Sequence, residues 1–142
     1  MKKWIVLFLL AVPAIGIGYM ALTMDDRNAA VAAEIVSQPD GERARKSMLI
    51  YLEDGRMYPV NYLWEDNMVY MGIDGRWWRA FKAPGAPVRM LIRGEEYTGH
   101  ATAVLDDQQR TDDVFSRLRP TAPEWLPAWL NGKLVAIEIT TE

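Results

Sequence analysis

Between Gly72 and Gly94 the chain reads GIDGRWWRAFKAPGAPVRMLIRG, which sets adjacent tryptophans inside a basic run. Arg76, Arg79 and Lys82 stand at i, i+3 and i+6, a spacing that gathers side chains on one face of a helix. A helix start adds free amides and partial positive charge. Such a face grips an anion, above all a phosphate, through charge-assisted hydrogen bonds. Trp77 and Phe81, at i and i+4, add an apolar stripe, and Trp77 or Trp78 offers a wall for a flat ring system. Two roles are therefore open to the segment. It is half of a site for a planar, anionic molecule, or its tryptophans close the end of a core while its cations face water. Burying an indole contributes several kcal/mol to a small domain by area alone, so the second role is physically sufficient.

Other residues that could do chemistry are sparse. The sequence has no cysteine and one histidine, which excludes disulfides, thiolate metal sites and a cysteine nucleophile. His100 could act as a general acid, but no carboxylate stands at a spacing that would pair with it; a surface or core histidine is the plainer reading. Tyr51, Tyr58, Tyr62, Tyr70 and Tyr97 fall in strand-like runs, where tyrosine is common anyway. Asp106, Asp107, Asp112 and Asp113 surround a helix start, which the helix dipole explains without a metal. Trp125 and Trp129 in PEWLPAWL are placed as a cap on the domain or against a membrane surface. There is no Walker loop, nucleophile elbow or zinc motif. The net charge of −3 lacks the basic footprint of a nucleic-acid binder.

The elements that position these residues follow from periodicity. From Ser47 onward the pattern has period two: SMLIYL, RMYPVNYLW and MVYMGI read as strands joined by EDG and EDN turns. Pro59 cannot donate to a ladder, so its strand is an edge there or bends there. Asp74 is placed as the cap of a short helix starting at Gly75 or Arg76 and ended by APGAP. VRMLIRG is a fourth strand, with Val88, Met90 and Ile92 on one face and Arg89 and Arg93 on the other. EYTGHATAVL is a fifth, Asp106 to Leu118 is helical with Val114, Phe115 and Leu118 inward, and KLVAIEIT is the last strand. Six short strands with two small helices predict a closed or nearly closed antiparallel barrel over residues 47–142.

Residues 1–24 carry a different signal. Lys2 and Lys3 precede an uncharged run from Trp4 to Leu22, and 19 residues span about 28 Å as a helix, enough to cross a bilayer core. Trp4 and Tyr19 sit near its ends, as interfacial aromatics do. A cleaved signal peptide is the rival, but its apolar core usually has about 7–15 residues. The expectation is an uncleaved single-pass anchor in the cell membrane. Lysines before the run and Asp25 and Asp26 after it place the N-terminus in the cytoplasm and the domain outside. Residues 25–46 are expected to be a juxtamembrane linker with an alanine-rich helix from Asn28 to Ser37, mainly a solvated spacer.

YPVNYLWEDNMVYMGIDGRWWRAFKAPGAPVRMLIRGEEYTGHATAVLDD resembles the deazaflavin-dependent nitroreductase family, a split β-barrel group related to flavin-binding pyridoxamine-phosphate-oxidase-like proteins. The likeness runs from about Tyr51 to Asp107. Pro59 and Tyr62 match that family's Pro-Leu-x-Tyr strand. Trp77 or Trp78 with Phe81 stand in for its tryptophan helix. Ala83, Val88 and Gly94 fit its next strand and turn, and Ala101 and Val104 its last. The resemblance implies a split β-barrel that holds FMN or a deazaflavin coenzyme in a groove and passes hydride to a nitro- or quinone-type acceptor. Where that family has a Gly-Arg-Lys-Ser-Gly phosphate loop, this chain has a short acidic turn with Glu53, Asp54 and one cation, Arg56, and Ala80 replaces the helix asparagine. The basic face is then the substitute grip: Arg56, Arg76, Arg79 and Lys82 for the anionic end, Pro59, Tyr62, Trp77 and Trp78 for the ring. The alternative is a barrel without cofactor, a non-catalytic module that binds a small ligand or a partner protein. A homodimer is compatible with either.

The membrane reading has a direct check. A topology reporter fused after Glu142 is expected to read as extracytoplasmic; a cytoplasmic signal, or full-length protein in the soluble fraction, would contradict it.

Overall fold

The computed structural model describes residues 26–120 and 132–140. Six strands form a closed antiparallel barrel in the order β1-β2-β3-β6-β5-β4. They are β1 Ser47–Tyr51, β2 Met57–Glu65, β3 Met68–Ile73, β4 Ala86–Ile92, β5 Glu95–Val104 and β6 Lys133–Ile139. The helices are α1 Asp26–Ser37, α2 Glu42–Lys46 and α3 Gln108–Leu118, with a 3-10 turn at Trp77–Phe81. Closure depends on β6, which pairs with β3 on one side and β5 on the other. Closure removes the long free edges along which sheets aggregate.

The period-two pattern sets the core. Met48, Ile50, Val69, Met71, Ile73, Val88, Met90, Ile92, Ala101, Val135 and Ile137 point inward and are buried. The expected register of β4 holds: Arg89 is exposed, beside Glu96 at 3.4 Å, and Arg93 lies in the turn that follows. Pro59 behaves as its chemistry demands. It pairs with Leu49 of β1, and the ladder from β2 to β3 begins only at Tyr62. On that side of Pro59 there is no strand to need its missing N–H.

Two elements differ from expectation. Residues 26–46 are not a solvated spacer. α1 lies along the barrel with Ile35 and Ala32 buried against Leu49, and Val31, Tyr51, Met57 and Leu91 pack around them. Val31 and Ile35 are at i and i+4, an apolar stripe too short to stand out among alanines but sufficient once a sheet face is present. The element after Asp74 is a 3-10 turn capped by the backbone of Arg76, with no side-chain cap. Asp74 instead accepts from Arg119 at 3.0 Å. α3 forms as expected, with Val114 and Phe115 buried and Asp107 as the N-cap accepting from the backbone N–H of Arg110 at 3.0 Å. No helix among the described residues is long and apolar enough to cross a membrane. The expected anchor, Trp4 to Leu22, and the expected cap, Trp125 and Trp129, lie outside the described residues.

The docked helix predicts a contrast between neighbours. Ile35 is fully buried and Val36 is 59% exposed. Ile35→Ala is expected to cost about 2–4 kcal/mol through a cavity, and Val36→Ala less than about 0.5 kcal/mol, in denaturant titrations of the full chain. Equal losses would mean that α1 does not dock.

Candidate functional site

One end of the barrel collects the end of β1, β3 and β5 and the start of β2, β4 and β6. The 3-10 turn lies across it. Phe81 is fully buried and closes the core from this end. Trp77 makes an edge contact with Phe81 at 6.0 Å and stacks on Tyr58 at 4.1 Å, with ring planes 10° apart. The turn can sit so close because Gly85 follows it. Its φ is +86°, and a Cβ there would come within 2.4 Å of the Ala101 carbonyl oxygen. His100 donates from Nε2 to the Pro84 carbonyl at 2.7 Å on the exposed outer face, so it is a tie between strand and turn.

The cations of this end divide into two groups. Arg56 is occupied by its own hairpin: its Nε donates to Asp54 at 2.7 Å and its backbone N–H to the same carboxylate at 3.0 Å. That backbone N–H, more than the guanidinium, holds the Asp54 carboxyl below its ordinary value. Arg79, Lys82 and Lys133 instead surround the ring of Trp78, at 6.0, 5.7 and 5.8 Å from its centre. Neither they nor the exposed Arg76 form an ion pair with any described residue. A 3-10 turn eclipses residues three apart, so Arg79 and Lys82 come together as the spacing suggested. Lys133, at the far end of the sequence, arrives through β6. It has no sequence signal that could link it to Trp78.

Beside this corner the barrel wall is open. β2 leaves β3 above Tyr62, while Gly72 and Ile73 stay paired with β6. The gap is a cleft of about 310 Å³ lined by Tyr58, Pro59, Asn61, Asp74, Trp77 and Arg119, with Asn28 of α1 at its edge. The Arg119–Asp74 ion pair braces one wall. Gly72 lets α3 approach: a Cβ would lie 2.7 Å from the ring of Phe115.

Of the residues expected to form one site, Pro59 and Trp77 share the cleft, and Trp78, Arg79 and Lys82 share the corner next to it. Arg76 is on the rim. Arg56 is nearby but neutralised by Asp54. Tyr62 is elsewhere. It faces the core with Tyr58 and Val60, four residues and about 13 Å further along β2, near the opposite end of the barrel. Its parity also differs from that of Pro59, so the two cannot flank one ring from the same strand face. Tyr58, Asn28, Asp74, Arg119 and Lys133 were not singled out for this site from the sequence. Chemically, the arrangement can hold a negative group at Trp78 and a flat apolar group against Trp77 and Tyr58.

No protein-family model and no curated protein matches the chain. Solved structures do. A candidate pyridoxamine 5′-phosphate oxidase of Listeria innocua superposes over 77% of this chain and 93% of its own, with a TM-score of 0.53 and 10% identity. An FAD-binding protein of Mesorhizobium loti covers 78% of this chain and 90% of its own at a TM-score of 0.44 and 19% identity. An F420 reductase covers 67% and 85% at a TM-score of 0.43 and 12% identity. At 10% identity the first of these establishes a shared fold, the split barrel.

The stacked pair at the cleft is testable apart from any ligand. A double-mutant cycle of Tyr58→Leu and Trp77→Leu is expected to give a coupling of about 0.5–1.5 kcal/mol in thermal or denaturant unfolding. Additive losses would mean that the rings do not stack in solution.

Proposed function

We propose that this domain binds a flavin-type cofactor, FMN or a deazaflavin coenzyme, at the barrel end closed by Trp77–Phe81, and transfers hydride to a nitro- or quinone-type acceptor. The observation that carries the proposal is the gathering of Arg79, Lys82 and Lys133 at Trp78 with no acidic partner among the described residues. Like charges held together in this way repel one another, and an anionic ligand relieves the repulsion. The residues fit the group. The cleft, about 310 Å³, lies at the small end of the usual range for ligand pockets. Its nearest carboxylate, Asp74, is held by Arg119 and so does not oppose an anion as a free charge would.

When bound, such a cofactor supplies the hydride chemistry; the protein binds, orients and excludes water. Arg79, Lys82 and Lys133, with Arg76 on the rim, would hold the anionic end, each contact contributing about 1.5–3 kcal/mol where desolvated. Tyr58, Pro59 and Trp77 would flank the ring system. In this reading the tether is the apolar run of residues 1–24, with the domain outside the cell membrane.

The test is a titration of detergent-extracted full-length protein with FMN and with the deazaflavin coenzyme, preceded by an absorbance spectrum of the protein as purified. Micromolar binding is expected. Arg79→Ala and Lys133→Ala should each weaken it by about tenfold or more, with little change in melting temperature. Failure of the wild type to bind either compound would sink the proposal and leave a non-catalytic binding module. Equal binding by the variants would move the anionic end away from Trp78.

A further inference from the structure

The opposite mouth of the barrel has its own aromatic and charged lining, which the proposed cofactor reading does not use. Trp64 of β2 and Tyr97 of β5 come from strands that lie opposite each other in the barrel order. Their rings meet across the mouth at 4.9 Å and 83°, forming a right-angled corner. Both are locked. Trp64 donates from Nε1 to the Asp66 carbonyl at 3.0 Å, and the Tyr97 hydroxyl donates to Glu95 at 2.7 Å. Below them is a cavity of about 480 Å³, also lined by Tyr62, Ile92, Arg93 and Asp40. Asp40 reaches the mouth because Pro39 packs on Gly94, where a Cβ would lie 2.9 Å from the proline ring.

Apart from the Tyr97–Glu95 hydrogen bond, the polar side chains here do not pair with one another. The Tyr62 hydroxyl makes no hydrogen bond to a described residue, and burial raises its pKa and keeps it neutral, against the opposing pull of Arg93. Arg93, Glu95 and Asp40 form no ion pair with described residues, although Arg93 and Glu95 are two positions apart. Arg93 is not stacked on any of the three rings either. Perpendicular aromatic faces with a carboxylate beside them favour an alkylated ammonium group. An unpaired guanidinium on the same rim favours an anion. Barrel mouths are a common place for small-ligand sites.

We propose that this mouth binds a small zwitterion, with its quaternary or methylated ammonium in the Trp64–Tyr97 corner beside Glu95 and its phosphate or carboxylate on Arg93. The same chemistry occurs in free solutes and in lipid headgroups, so the probes must separate them. The experiment is calorimetric titration of the full chain in a maltoside detergent with phosphocholine, glycerophosphocholine, glycine betaine, choline alone and inorganic phosphate.

Saturable binding of at least one zwitterion is expected, at least about tenfold tighter than choline or phosphate. Preference for phosphocholine or betaine would indicate a free solute; preference for glycerophosphocholine would indicate a headgroup. Tyr97→Leu should lose binding by about tenfold or more, whereas Tyr97→Phe, which keeps the ring, should retain most of it. Arg93→Gln, on an exposed turn, should bring the zwitterion down to the level of choline with no change in melting temperature. Arg79→Ala, at the other end, should leave binding unchanged, so failure here is distinct from failure of the cofactor proposal. No saturable binding by any zwitterion, or full binding by both Tyr97→Leu and Arg93→Gln, would overturn the assignment.

Discussion

β2 changes partner halfway along its length, and most of the functional geometry depends on that change. Met57 to Asn61 pair with β1, and Tyr62 to Glu65 pair with β3. Pro59, with no N–H to offer, sits in the half that has only one neighbour. A barrel whose wall ran unbroken from β1 through β2 to β3 would have no cleft between Tyr58 and Gly72. Because the wall opens there, the 3-10 turn can lay Trp77 over Tyr58, and α1 can bring Asn28 to the same edge.

Electrostatics then separate structural cations from available ones. Arg117 is bound to Glu65 at 2.8 Å and to Asp113 at 3.0 Å, clamping α3 to β2. Arg119 braces Asp74, and Arg56 is absorbed by Asp54. Each of these pairs is partly exposed and contributes modestly to stability, but each removes a charge from competition for an anion. What is left at that end is concentrated at Trp78. The indole face attracts cations and offsets part of their mutual repulsion, so three can stand together without an acid.

The two ends of the barrel thus differ in kind. One is plugged by Phe81 and rimmed with positive charge; the other is bridged by Trp64 and Tyr97 and carries both signs. Antiparallel strands make such polarity natural, since side chains that face inward along one strand pass from one mouth to the other. Tyr58 and Tyr62 show it within a single turn of sequence: both point inward, yet they serve opposite ends.

The sequence by itself determined the strands, their inward faces and the barrel class, because period-two burial and turn residues are local properties of neighbours in the chain. Val88, Met90 and Ile92 were legible for that reason, and so were the helix at Val114 and Phe115 and the proximity of Arg79 and Lys82. Tertiary structure decided the rest. Ile35 is buried only because a sheet face meets it. Asp74 gives up a capping role because Arg119 reaches it from α3. Lys133 joins Trp78 because closure of the barrel places the start of β6 beside the 3-10 turn. Tyr62 separates from Pro59 because about 3.3 Å of rise per residue carries it to the far mouth. These are distances between residues remote in sequence, and no local pattern encodes a distance that only closure of the barrel creates.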